Sequence, residues 1–136
     1  MTKVPYEPEE LVKLALKAKE SAYVPYSGFH VGAALVGDDD NIYTGCNIEN
    51  SSYGATICAE RTAVVKAVSN GARKIKAIAV ASDHEISTIP CGICLQVLSE
   101  FCQRDTLVYL SNHKGEYKAC TFEEVFPYSF KLNNDI

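Results

Sequence analysis

Residues 75–81 form an apolar, β-branched run broken only by Lys76, and this run constrains the fold more than any other segment. A strand that is apolar on both faces has to be covered on both. The neighbouring segments can supply those covers. Residues 9–23 place Leu11, Leu14, Ala15, Ala18 and Ala22 at helical spacing before Pro25, Ser27 and Gly28 break the pattern. Residues 29–36 and 42–48 read as two strands joined by the hairpin connection Gly37-Asp38-Asp39-Asp40-Asn41. A second helix is predicted to start close to Cys58 and to run to Val68, with Asn70-Gly71 as its stop. Residues 91–102 read as a third helix behind Pro90. Strands follow at 107–110 and 117–120 around a turn at 112–115, then a short helix at 123–126. The first two strands should pair antiparallel across their short loop, and the remaining joins are read as crossovers. The predicted fold class is therefore α/β, a three-layer helix–sheet–helix domain with a mixed, mostly five-stranded sheet. At 136 residues the chain is expected to be a single domain, 1–136, with residues 131–136 as a polar tail.

Charge and termini narrow the partners. The formal net charge is −4, and the nearest approach to a basic run, Arg73-Lys74-Ile75-Lys76, is short and interrupted. Grip on a phosphate backbone comes from Lys and Arg, so no nucleic-acid polymer is expected as a partner. The N-terminal residues carry no stretch of signal-peptide length, and no later segment approaches a membrane span. A cytoplasmic location without membrane association is expected, where thiols stay reduced. The six cysteines then read as ligands, catalysts or core fillers rather than a disulfide framework. In that compartment Asn50-Ser51-Ser52 is a glycosylation pattern without consequence. The three adjacent Asp lack the spacing and terminal Glu of a calcium loop and read as a turn.

Two short stretches carry chemistry: Cys58-Ala59-Glu60 and Pro90-Cys91-Gly92-Ile93-Cys94. Cys91 and Cys94 stand three apart at a helix start, so their sulfurs can converge. Cys58 would be a third ligand, and a catalytic zinc with three protein ligands keeps one position open. Helix N-termini favour anions and so favour thiolates. Three thiolates outweigh the metal's charge, and Arg61 is placed to offset the excess. Glu60, in the first turn of its helix, can take a proton from water and hand it to a substrate nitrogen. A ligand-x-Glu stretch followed by Pro-Cys-x-x-Cys is the signature of zinc deaminases, here with Cys as first ligand. Two plainer readings compete. A structural zinc would need a fourth ligand from His30, His84, His113, Cys46, Cys102 or Cys120, none of which has pair spacing. A thiol nucleophile paired with His would leave Glu60 and one cysteine idle. Cys46, Cys102 and Cys120 read as core or strand residues, and the histidines as surface or hydrogen-bonded residues.

Beyond the metal motif, the chain resembles the small homotetrameric cytidine deaminases from about residue 9 to residue 130. The resemblance is carried by Pro25-Tyr26-Ser27-Gly28-Phe29, Val31-Gly32-Ala33-Ala34-Leu35, Gly45-Cys46-Asn47-Ile48-Glu49-Asn50, Cys58-Ala59-Glu60-Arg61-Thr62 and Pro90-Cys91-Gly92-Ile93-Cys94. It implies deamination of cytidine and 2′-deoxycytidine to the uridines and ammonia in pyrimidine salvage, with one zinc per chain. It also implies that Asn47 and Glu49 hold ribose hydroxyls, a role consistent with two strand residues facing the same way. Phe29 would pack on the pyrimidine, and the backbone around Ala59 would contact the base. Tyr53 and Phe130 would reach a neighbouring subunit's pocket in a homotetramer with composite sites. One departure stands out. Many relatives carry Arg or another polar residue directly after the second cysteine of the pair, and this chain has Leu95. Arg61 would then carry more of the charge balance.

Rival functions are deamination of an aminonucleoside antibiotic, editing of tRNA or single-stranded DNA, and a zinc-stabilised binding module. Asn47 and Glu49 argue against the first. The absence of a basic groove signal argues against the second. The third requires a saturated four-ligand site.

Overall fold

The computed structural model describes residues 5–132, so the last four residues of the predicted polar tail lie outside the described residues. Its elements are α1 (Pro8–Lys19), β1 (Val31–Gly37), β2 (Ile42–Cys46), a 3-10 turn (Tyr53–Ala55), α2 (Ala59–Ser69), β3 (Ile75–Ser82), α3 (Gly92–Ser99), β4 (Leu107–Ser111), β5 (Tyr117–Thr121) and α4 (Phe122–Val125). The strands form one five-stranded sheet in the order β2-β1-β3-β4-β5. Only the β3–β4 pair is parallel; β1–β2, β1–β3 and β4–β5 are antiparallel. The expected mixed α/β sheet is therefore present.

Side-chain alternation sorts the core into two layers. Ala33, Leu35, Ile78, Val80, Val108 and Leu110 face α2 and α3, packing against Ala63, Val64, Leu95 and Leu98. Ala34, Val36, Ala77, Ala79 and Ala81 face α1 through Leu11, Val12 and Ala15. The α1 face of β3 is all alanine, so the helix can sit close. Gly32 brings it closer still: a Cβ there would lie 2.0 Å from the carbonyl oxygen of Ala15. Pro8 in the first turn of α1, with Glu9 and Glu10 there and Lys17 and Lys19 in the last, suits both the backbone and the helix dipole.

The first strand begins at Val31 rather than 29, and the last helix at Phe122 rather than 123. Three further predicted boundaries move for a tertiary reason. The first helix stops at Lys19 because Tyr23 is drawn into bonds with the segment after β2, its N–H to the Asn47 carbonyl and its carbonyl to the Glu49 N–H. Strand β2 ends at Cys46 rather than 48, since Ile48 leaves the ladder to exchange two backbone bonds with Ile57. The third helix ends at Ser99 rather than 102, because the Phe101 carbonyl accepts the Ile75 N–H at the start of β3. The last join is also not a crossover. A tight turn connects β4 to β5, with Gly115 at φ 84° and the Asn112 side chain accepting the N–H groups of Lys114 and Glu116.

Gly45 fixes how α2 lies across the sheet. A Cβ at this position would sit 2.5 Å from the Ala63 nitrogen and 2.6 Å from the Ala59 carbonyl oxygen. Both are helix backbone atoms and cannot rotate away. Gly45→Ala is expected to destabilise the fold by about 1–3 kcal/mol, the usual cost of overpacking. Denaturant unfolding of the variant measures this, and an unchanged midpoint would mean that α2 is free to shift outward.

Candidate active site

The sheet brings together two helix N-termini that lie 33 positions apart in sequence, as counted between Cys58 and Cys91. Each cysteine is the residue that caps its helix, in extended backbone conformation. The Cys58 carbonyl accepts the Thr62 N–H and the Cys91 carbonyl accepts the Leu95 N–H, the first turns of α2 and α3. Neither sulfur is used as a side-chain cap. Both therefore stand at a helix start, where the first-turn N–H groups have no intrahelical partner and favour an anion.

Cys58 Sγ lies 3.8 Å from Cys91 Sγ, and Cys91 Sγ lies 3.4 Å from Cys94 Sγ. All three sulfurs fall within 4.8 Å of one another. Three thiolates around a tetrahedral zinc, with Zn–S near 2.3 Å, would stand about 3.8 Å apart. The donor set therefore fits zinc in kind and in spacing. Among the described residues no fourth Cys, His, Asp or Glu joins the group. None of the histidines and spare cysteines from which a structural site would need a fourth ligand joins the cluster, so it offers three ligands.

The electrostatics follow from this packing. Hydrogen bonding with Cys94, then with Arg61 and Cys91, outweighs burial and lowers the pKa of Cys58 to about 5. The Cys94 thiol moves the other way, raised by its bond to Cys58 and by burial. Arg61 Nη2 donates to Cys58 Sγ at 3.5 Å and to the Thr56 carbonyl at 3.3 Å, while its buried Nε has no partner. Leu95, in contrast, is buried in the core beneath α3. Arg61 is thus the guanidinium that touches the thiol cluster. Glu60, in the first turn of α2, is only 4% exposed, and burial followed by the Cys58 charge pushes its carboxyl up to about 7.

A cavity of about 460 Å³ opens on this cluster, with Phe29, Asn47, Cys58, Glu60, His84 and Cys91 among its walls. A second, of about 390 Å³, is lined by Tyr26, Ser27, Glu49, Tyr53 and Thr56 and adjoins the first through Thr56. Phe29, Asn47 and Glu60 therefore share one cavity with Cys58 and Cys91, and Glu49 and Tyr53 line the next. Ala59, fully buried between Cys58 and Glu60, opens α2. Phe130 is found in neither cavity; it is 67% exposed, and its carbonyl accepts from Gln96 Nε2. A larger cavity of about 720 Å³, beside α4 and Arg104, contains none of the predicted site residues.

Asn47 and Glu49 lie beyond the end of β2, so strand alternation is not what orients them. The Asn47 side chain bridges the loop before β1, with Nδ2 donating to the Phe29 carbonyl and Oδ1 accepting the Val31 N–H. One amide proton and one lone pair remain for a ligand. Glu49 accepts the Tyr26 and Ser27 N–H groups and the Ser27 hydroxyl, and the hydroxyl bond leads in lowering its pKa. His84 and Thr88 were not legible as cavity residues in the sequence, because a long loop delivers them and no spacing rule applies.

Comparison with known proteins agrees with this geometry. Residues 5–110 match the family described as "Cytidine and deoxycytidylate deaminase zinc-binding region". The cytidine deaminase of Sporosarcina psychrophila is 53% identical over 122 residues, covering 90% of each chain. That of Halalkalibacterium halodurans is 52% identical over 120 residues, covering 88% of this chain and 91% of the other. The crystal structure of cytidine deaminase from Burkholderia pseudomallei superposes with a TM-score of 0.87 at 40% identity, covering 92% of this chain and all of that one. With the thiol cluster, the buried acid and the sheet all in agreement, this chain belongs to the cytidine and deoxycytidylate deaminase zinc-binding family.

Proposed function

We propose that the protein hydrolyses cytidine and 2′-deoxycytidine to uridine and 2′-deoxyuridine, releasing ammonia, as a step of pyrimidine salvage in the cytoplasm. The observation that carries this reading is the buried Glu60 carboxyl sharing one cavity with the thiols of Cys58 and Cys91. Cys58, Cys91 and Cys94 would hold one zinc per chain. When bound, zinc supplies Lewis acidity that makes water a nucleophile near neutral pH.

The chain's own groups do the rest. Glu60 takes a proton from the attacking water and delivers it to ring N3 as the oxygen bonds to C4. Glu60 then takes the proton of the new C4 hydroxyl and gives it to the departing amine, so that C4–N breaks, C4=O forms and ammonia leaves. Burial makes this carboxyl readier to accept a proton than an exposed one, which suits a group that must take up and return protons. Arg61 offsets thiolate charge through its bond to Cys58. Phe29 lies against the pyrimidine, the backbone at Ala59 meets the base, and Asn47 and Glu49 bind the sugar hydroxyls.

Tyr53 and Phe130 complete the pocket of a neighbouring subunit in a homotetramer. Their 76% and 67% exposure leaves both rings available for that contact. No described helix is long and apolar enough to cross a membrane.

The test is direct. The purified, metal-analysed protein is mixed separately with cytidine, 2′-deoxycytidine and cytosine, and loss of the amine is followed by ultraviolet absorbance. Both nucleosides should be converted, the free base should not, and zinc should be present at one per chain. No conversion of either nucleoside by zinc-loaded protein overturns the proposal.

A further inference from the structure

Phe29 lies before β1 and outside the strand ladder, so side-chain contacts must hold it. The Asn47 amide grips its carbonyl from one side. On the other side the end of β3 provides a second clamp. Asp83 Oδ2 accepts the His30 N–H at 2.8 Å and lies 2.8 Å from His30 Nδ1, and the Asp83 N–H donates to the His30 carbonyl at 3.2 Å. Asp83 Oδ1 also accepts from Lys19 Nζ at 2.9 Å, tying in the end of α1. Burial opposes the Asp83 charge, yet the bonds from His30 and Lys19 keep its carboxyl well below the usual range.

This clamp delivers the next residue, His84, against Phe29. The two ring centroids are 4.7 Å apart, with the planes tilted by 57°. The His84 N–H donates to Ser82 Oγ, and its carbonyl accepts the His113 N–H, so its backbone is anchored at both ends. Ser82 Oγ is in turn 2.7 Å from the Thr88 hydroxyl, which donates to the Ser111 carbonyl. One loop thus fixes His84 at its start and leads into Cys91 at its end, and both line the cavity. His84 itself is exposed, so its ring adds little to the core. Its aromatic contact is with a ring that faces the cavity.

We infer that His84 is a positioning residue for the substrate base, acting through its tilted aromatic contact with Phe29. This rests on the proposed nucleoside deaminase function, in which Phe29 meets the pyrimidine. The effect belongs to binding rather than to proton transfer, because the hydrogen bonds of His84 run to Ser82 and His113 and not to Glu60 or the thiols.

The experiment compares wild type, His84→Ala and His84→Phe as zinc-loaded proteins. His84→Ala should raise KM for cytidine about two- to tenfold, the range of one aromatic pair, and leave kcat within about twofold. His84→Phe restores a ring without the imidazole and should return KM to within about twofold of wild type. Zinc content and melting temperature should be the same in all three. An unchanged KM in His84→Ala overturns the inference. So does a loss that falls on kcat, or one that His84→Phe does not repair. If wild type turns over cytidine and the variants are silent, this inference alone fails. If wild type does not, the functional proposal fails with it.

Discussion

Glu60→Gln is expected to fold, to bind zinc and to lose on the order of 10²–10⁴-fold or more in kcat, the usual contribution of a positioned acid–base group. The substitution keeps the side chain's size and removes only its ability to ionise and to move a proton. At 4% exposure, and with burial raising its pKa to about 7, the carboxylate is poorly solvated in the folded protein. A neutral amide there should leave stability unchanged or slightly raised. That separates the chemical role from a structural one, since melting temperature and metal content hold while turnover collapses. Stopped-flow or steady-state assays at matched zinc content measure the effect. Turnover near wild type would remove Glu60 from the mechanism and require another proton carrier.

Cys91→Ala should have an effect of similar size for a different reason. It removes one of three converging thiols, the one lying 3.8 Å and 3.4 Å from the other two. Even groups that only support metal ligands cost about 10–100-fold in affinity when lost, so losing a ligand should weaken zinc binding by at least about 100-fold. The variant should purify with little zinc and show no measurable deamination. Its melting temperature should also stop rising with added zinc, because a ligand stabilises only the state that binds it. Cys102→Ala is the control. This thiol is buried against the core, with its pKa pushed up to about 12 by burial, and it is no part of the cluster. It should keep zinc and activity while losing some stability. Full zinc occupancy in Cys91→Ala would mean that the metal sits elsewhere.

The sequence determined by itself whatever depends on neighbours a few positions apart. The apolar run at 75–81 dictated a strand covered on both faces, and β3 is buried between two helical layers. Cys58 with Glu60, and Cys91 with Cys94, each sit within one turn at a helix start, so their relative placement follows from helix geometry alone. Their types and spacing were enough to predict a three-thiol site with an acid beside it; that the acid is buried came from the packing of α2 on the sheet. What the tertiary structure decided depends on contacts far apart in the chain. Sheet register, where a one-residue slip reverses every side chain, brings the two cysteine stretches onto one point. Tyr23, Ile48 and Phe101 end their elements early because distant backbone groups take their hydrogen bonds. Asn47 grips the Phe29 loop, Leu95 goes to the core and leaves Arg61 with the thiols, and His84 meets Phe29 at 4.7 Å. No local pattern encodes these pairings, because each exists only once the sheet has placed two remote segments side by side.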